Sequence, residues 1–416
     1  MKIETLQTRR ENLASEMEKN SMLIINSGNA PVKSADQYYE FSVWRNFFYL
    51  TNIDMPNMAY VMKKTDDEIT HYLFIDQVSE LEEKWSGYRM KKDIASQISG
   101  IDEKNIHPIQ DLKKTIGTWM TNHNLENAYF DLERNTYNHP DTTQTELARE
   151  IQTKYPHLNL TNAQPFLTQM RLIKSDCEIQ NLKTAVGKTK LGIERMLQEA
   201  KPGMKEYELE AYFDFVTKQA GVKGRAFGTI AAAGTNATVL HYHDNDTIIN
   251  DGELILFDLG CSWNNYNADI SRTFPINGKF SSRQKEIYQA VLDVQKEVIN
   301  KIKPGIKLSE LNEIAKKSLA SKCKILGLID KDEDLQKYYY HGIGHFLGLD
   351  THDVGGRDRE LKAGMVITIE PGLYIEEESI GIRIEDDILV TETGFENLSA
   401  DIIKEIDDIE SSMNQN

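Results

Sequence analysis

Only three cysteines, Cys177, Cys261 and Cys323, occur in the 416 residues, and no two form a Cys-x-x-Cys pair. That scarcity excludes a disulfide framework and a zinc ribbon, and it fits a reducing compartment. Positive charge is also in deficit, with 48 Lys+Arg against 65 Asp+Glu and a formal net charge of −17. Phosphate binding needs clustered Lys and Arg, so no nucleic-acid partner is expected. No apolar stretch approaches the roughly 20 residues a membrane helix requires. The opening residues, Met1 to Arg10, lack the apolar core of a secretory signal. Without secretion the N-x-T sequons at Asn159 and Asn236 carry no meaning, and a soluble cytoplasmic protein with no membrane partner is expected. What is present, 40% hydrophobic and 27% charged residues, is ordinary globular composition. The length exceeds one core of usual size, so two domains are expected.

The first is expected over residues 1–160. Short β-rich runs at 21–26, 59–62, 71–76 and 127–131 alternate with helical patterns at 112–121 and 142–154, which implies a small α/β domain. Periodicity lapses at 155–166, read as a linker. A long charged helix is then predicted from Met170 to about Glu199, stopped by Lys201-Pro202-Gly203. The second domain, 161–416, holds a weak repeat. Lys201-Pro-Gly-Met-Lys-Glu-Tyr-Glu-Leu209 recurs as Lys303-Pro-Gly-Ile-Lys-Leu-Ser-Glu-Leu311, and Gly252-Glu-Leu-Ile-Leu-Phe-Asp-Leu-Gly260 is echoed by Gly364-Met-Val-Ile-Thr-Ile-Glu-Pro-Gly372. Two halves about a pseudo-twofold axis explain both echoes, and a site fed by both halves would lie between them.

Each echo places an acid at the end of an apolar run: Asp258 after Leu254 to Phe257, and Glu370 after Met365 to Ile369. Such runs suit strands buried on both faces, where an ionised carboxylate is costly unless paired. Taken singly, each acid could merely face water at a strand end. Each has a second acid behind it, however. Asp269 follows across a hairpin-like segment, and Glu385 follows in Gly381-Ile-Arg-Ile-Glu-Asp-Asp-Ile-Leu389. A turn centred at Trp263-Asn264 would set Asp258 and Asp269 directly opposite, with Cβ atoms ~5 Å apart, and a turn at Asn264-Asn265 would separate them by ~7–8 Å. Arg383 and Glu385 alternate with Ile382 and Ile384, so they share a face. Four such acids repel strongly without cations, and two divalent metals ~3.5–4 Å apart resolve the repulsion.

Histidine supplies another ligand type. Residues 341–353 read His-Gly-Ile-Gly-His-Phe-Leu-Gly-Leu-Asp-Thr-His-Asp, with His341, His345 and His352. The i,i+4 pair His341/His345 is not a zincin helix, because glycines interrupt it and no Glu follows His341. Glycines here suit backbone passing close to a ligand. His241, in Leu240-His-Tyr-His243, is a further candidate, whereas His243 is read as an ordinary hydrogen-bonded or surface residue.

The order Asp258, Asp269, His345, Glu370, Glu385 resembles the five-ligand set of the pita-bread metallopeptidases, which include aminopeptidase P, prolidase and methionine aminopeptidase. Leu-His-Tyr at 240–242, Asp-Ile-Ser-Arg-Thr-Phe-Pro at 269–275 and Ile-Glu-Pro-Gly-Leu-Tyr at 369–374 carry the same likeness. Lys33-Ser-Ala-Asp-Gln-Tyr-Tyr-Glu-Phe and Trp44-Arg-Asn-Phe-Phe-Tyr-Leu-Thr-Asn52 resemble the N-terminal domain of aminopeptidase P, and Met170 to Ser175 its entry to the catalytic domain. The resemblance implies an α/β (α+β) chain whose C-terminal pita-bread catalytic domain, with pseudo-twofold halves, follows a smaller α/β domain.

By that resemblance Asp258 holds one metal, His345 and Glu370 the other, and Asp269 and Glu385 bridge. Oxygen-rich ligation favours Mn(II), with Co(II) or Zn(II) as alternatives. The resemblance further implies that His241 and His352 line the substrate cleft and act on the carbonyl or scissile nitrogen. Glu370 would shuttle a proton to the leaving nitrogen, and His341 would shape the pocket beyond the scissile bond. Arg383 would orient a bridging acid or bind a substrate carboxylate, unless it simply pairs with an acid such as Asp386. The implied activity is release of the N-terminal residue from peptides with proline second, with prolidase as the nearest rival. A ligand-free binding module or a metal-independent amidinohydrolase would require lost ligands, and all five are present. Family members are often homodimers or homotetramers whose N-terminal domain closes a neighbour's cleft. Trp44 to Tyr49 could serve there, though the core of the N-terminal domain is their expected place.

Overall fold

The computed structural model describes residues 1–122, 125–134 and 136–414. They form two compact units, Met1–Met170 and Arg171–Asn416.

The first unit is built on a six-stranded mixed sheet ordered Ile106–Pro108, Ile69–Ile75, Ala59–Lys64, Ser21–Asn26, Asn127–Phe130, Asn159–Asn162. Ser21–Asn26 is antiparallel to Ala59–Lys64 and parallel to Asn127–Phe130. Helices Leu112–Asn122 and Thr143–Lys154 lay Ile116, Trp119, Leu147 and Ile151 on one face, against Met22, Ile24, Val61, Phe74 and Phe130. Phe47, Phe48 and Tyr49 are buried, which is the core role expected of them.

Two expectations fail at the junction. Residues 155–166 are not a linker, because Asn159–Asn162 pairs in parallel with Asn127–Phe130 and helix Gln164–Leu172 follows. The strand reads Asn-Leu-Thr-Asn, and its one apolar residue, Leu160, packs with Leu158 against the core; so short an alternation among Asn and Thr is outweighed by the polar residues around it, and pairing makes it a strand. The division therefore falls after Met170 rather than after residue 160. Nor is there one helix from Met170 to Glu199. Helix Gln164–Leu172 ends, and Asp176–Glu199 starts afresh on a capping box in which the Ser175 N–H donates to Glu178 Oε2 at 2.8 Å.

The second unit repeats itself in its hydrogen bonds. Gly203 and Gly305 adopt φ of +89° and +92°, a region L side chains avoid. Each then donates its N–H to the carbonyl of Ile249 or Leu361, and Ile249 and Leu361 donate back to Met204 and Ile306. Each turn opens a helix, Glu206–Gln219 in one half and Leu308–Ile325 in the other. Central strands Leu254–Leu259 and Val366–Ile369 pair antiparallel with Ile270–Pro275 and Asp386–Val390. Phe213, Ile255, Phe257 and Phe274 from one half share a single apolar core with Val291, Leu311, Ile367 and Ile388 from the other. The strand ends of both halves are thereby set rigidly against each other.

Candidate metal centre

Asn264 and Asn265 both take positive φ, 50° and 64°, and close a two-residue hairpin between Trp263 and Tyr266. That turn sets the register of the wider pair, in which Asp258 faces Ser271. Of the two registers open to the sequence, the Asn264-Asn265 one holds, and Asp269 lies diagonal to Asp258. In the other half the Glu370 N–H donates to the Ile343 carbonyl and the Thr368 N–H to the His345 carbonyl, both at 2.8 Å. The histidine segment is thereby zipped to the strand that ends in Glu370. A β-carbon at Gly344 would lie 2.0 Å from the Thr368 carbonyl oxygen, so this approach demands glycine.

One ligand atom each from Asp269, His345 and Glu385 lies within 4.8 Å of the others. Glu370 flanks the group with Oε1 3.9 Å from His345 Nε2, while Asp269 Oδ2 is 3.3 Å from the same nitrogen. Asp258 adjoins from the facing strand, and its charge acts on Asp269, Glu370 and Glu385 alike. All five sequence-predicted ligands thus converge. Burial pushes the Asp269 and Glu385 carboxyls well above their usual range, reinforced by neighbouring carboxylates, and burial raises Glu370 as well.

Two observations fit divalent cations. Among the described residues Asp258 Oδ1, Asp269 Oδ1 and Glu385 Oε1 are buried with no hydrogen-bond partner, which is costly for a carboxylate. His345 Nδ1 lies 3.0 Å from the Phe346 carbonyl, an acceptor only, so Nδ1 carries the proton. That leaves Nε2, 3.3 Å from Asp269 Oδ2 and 3.9 Å from Glu370 Oε1, as the ring nitrogen turned toward the carboxylates and placed to ligate a cation with them. Cations among these groups satisfy every one of them.

Arg383 is the buried cation at the edge of this cluster. Its Nη2 donates to Asp258 Oδ2 at 2.8 Å, Nη1 to the Tyr374 hydroxyl at 3.1 Å and Nε to Ser271 Oγ at 2.8 Å. Ser271 Oγ in turn donates to Glu385 Oε2 at 2.9 Å. Arg383 does not pair with Asp386, whose partners are Arg272 and Lys404. His341 Nδ1 donates to the Gly342 carbonyl at 2.7 Å, so Nε2 accepts from the Tyr374 hydroxyl at 2.8 Å. Burial, with Arg383 nearby, drops the His341 pKa to about 3, which keeps it neutral. His352 packs edge-on to His345, ring centroids 4.3 Å apart, and burial lowers its pKa too. His241 is exposed but close enough for its charge to act on both His341 and His352. His243 is exposed and stacks on His241.

Sequence reasoning gave no role to Tyr374 and Ser271, which tie Arg383 to His341 and Glu385. Both lie inside the quoted family strings, and that was the only signal pointing to them. It also passed over Asp387, whose Oδ2 accepts the Asp269 N–H at 3.2 Å.

Residues 180–392 match the model of metallopeptidase family M24, and residues 6–129 that of the aminopeptidase P N-terminal domain. The chain belongs to metallopeptidase family M24. Within it the two matched regions give the plan of aminopeptidase P, a pita-bread metal-dependent hydrolase behind a smaller α/β domain. Curated relatives called Xaa-Pro aminopeptidase, from Haemophilus influenzae and Escherichia coli, are each 35% identical, with 99% and 98% of this chain and 97% of each relative covered. A Bacillus anthracis structure assigned to aminopeptidase P superposes with a TM-score of 0.97 at 50% identity, covering 100% of this chain and 99% of that one. Zinc-substituted Escherichia coli aminopeptidase P with bound product superposes at 0.90 with 31% identity, covering 99% and 98%.

Proposed function

We propose that this chain is an Xaa-Pro aminopeptidase that removes the first residue from peptides carrying proline second. The observation that carries the reading is the convergence of five candidate ligands on buried oxygens unpartnered among the described residues, within a chain whose relatives, covered to 97% of their length, bear that name. Asp258, Asp269, His345, Glu370 and Glu385 would hold two divalent ions, with Mn(II) the proposed metal because oxygen dominates the donor set. When bound, such ions supply a nucleophilic water near neutral pH and polarise a scissile carbonyl.

The chain's own groups do the rest. Arg383 holds Asp258 directly and Glu385 through Ser271, which fixes the direction in which the acids present their free oxygens. Glu370, its carboxyl raised by burial, carries a proton from the attacking water to the leaving nitrogen. His241 and His352 face the substrate carbonyl and the scissile nitrogen. Neutral His341, steadied by Tyr374, walls the pocket beyond the bond. The nitrogen of an Xaa-Pro bond has no hydrogen to grip. A site that works on the carbonyl from one side and shapes a ring pocket on the other does not need one.

The cytoplasm is the proposed compartment, supported by three unpaired cysteines; among the described residues no helix is long and apolar enough to cross a membrane. A homodimer or homotetramer is proposed as well, supported by Trp85 and Tyr88, which are 86% and 87% exposed. The deciding assay is turnover of Xaa-Pro-Xaa tripeptides against Xaa-Pro dipeptides after loading with Mn(II), Co(II) or Zn(II). Release of the first residue from tripeptides is expected; cleavage of dipeptides alone would make the enzyme a prolidase.

A further inference from the structure

The two halves offer an internal comparison at the start of their first helices. Lys201 to Leu209 aligns with Lys303 to Leu311, which sets Glu206 opposite Leu308. Both are buried, at 0% and 2% exposure. Leu308 belongs to the shared apolar core, so the fold itself accepts a hydrocarbon at this point of the repeat. A buried carboxylate there calls for another reason.

Its partners supply one. Glu206 Oε1 accepts the Ala233 N–H at 2.7 Å and Asn236 Nδ2 at 3.1 Å, and Oε2 accepts the Tyr242 hydroxyl at 2.9 Å and the Thr247 N–H at 3.0 Å. All four donors lie in 233–247, the segment that carries His241. Tyr242 packs in a small cluster with Leu240, Ala237 and Tyr374, the tyrosine that contacts both His341 and Arg383. A β-carbon at Gly381 would meet the Ala237 carbonyl oxygen at 2.2 Å, so the segment also lies tight against the strand that carries Arg383. We infer that Glu206 is a positioning residue: its carboxylate gathers 233–247 into one conformation and thereby sets His241 over the site.

The inference rests on the proposed role of His241, and a double-mutant cycle on the metal-loaded enzyme separates the two. The variants are Glu206→Leu, His241→Ala and their combination, with kcat, KM, bound metal and melting temperature measured for each. Glu206→Leu should fold and keep its metal, yet lose about 10- to 100-fold in kcat/KM, because misplacing a reacting group by ~1 Å costs on the order of 10²-fold. Combined with His241→Ala it should add no more than about threefold to the loss, since both changes remove the same contact. Losses that multiply in full would overturn the inference, as would parental activity in Glu206→Leu. Full activity in His241→Ala would instead sink the reading of that histidine, and Glu206 would lose its role with it. Should Glu206→Leu not fold, Glu206→Gln, of nearly the same volume, enters the same cycle. Failure of both to fold also overturns the inference, because Glu206 would then serve the fold alone.

Discussion

Replacing Asp269 with Asn should stabilise the metal-free protein and cripple the enzyme. The side chain keeps its shape and loses its charge. Ligand atoms of Asp269 and Glu385 lie within 4.8 Å, and two unit charges at that distance repel by roughly 3 kcal/mol at an effective dielectric near 20. The parent can relieve part of this by taking up a proton, as the raised Asp269 carboxyl shows, so the gain from Asp269→Asn should be about 1–3 kcal/mol. Metal reverses the ranking. Ions that bind only the folded chain add about 2.7 kcal/mol at 100 times their dissociation constant, and the Asp269→Asn variant would forfeit most of that with one donor set weakened. Urea unfolding at pH 8, where histidine is neutral, in EDTA and then in excess Mn(II), reads both signs. A variant less stable than the parent in EDTA, or one that gains as much from Mn(II), would refute the account of charge repulsion relieved by cations.

Gly344→Ala forces a β-carbon to 2.0 Å from the Thr368 carbonyl, so the zipper that carries His345 must shift; a loss of about 1–3 kcal/mol in stability and roughly 10²-fold in kcat/KM is expected, and unchanged kinetics would contradict it. In the N-terminal unit, burial lowers the His71 pKa to about 4 from 6.5, beside the Tyr60 hydroxyl at 2.9 Å. A depressed histidine contributes stability that is complete above pH 6.5 and is lost as pH falls toward 4, at most about 3 kcal/mol. His71→Phe should therefore flatten the fall of the urea midpoint between pH 7 and 4.5, and an unaltered slope would show that His71 is not its source.

Four strands and two helices of the N-terminal unit were readable because their apolar residues recur at the strand and helix periods, whereas helices Ile3–Ser15, Arg45–Thr51, Glu80–Ser86 and Lys92–Ser99 were not read. Strand Asn159–Asn162 was missed as well, since its single apolar residue, Leu160, gives too short a pattern and the strand forms by pairing with its neighbour. The internal repeat was readable in Lys-Pro-Gly and in the acids closing two apolar runs, because a turn with positive φ and a buried carboxylate each demand particular residues. The break at Ser175 was legible too, in a Ser-x-x-Glu cap overshadowed by the helical periodicity around it.

From residue types and spacing alone came the two-domain plan, the paired acids and the need for cations among them. Which register the Asp258–Asp269 hairpin takes, which acid Arg383 grips, and how Tyr374 and Ser271 join it to His341 and Glu385 were decided only in three dimensions. Those contacts join strands from both halves, brought together by a shared core, and no local preference of a short segment encodes a distance to a segment a hundred residues away. Charge that must be neutralised leaves its mark on composition, whereas the direction in which a guanidinium points is settled by what packs around it.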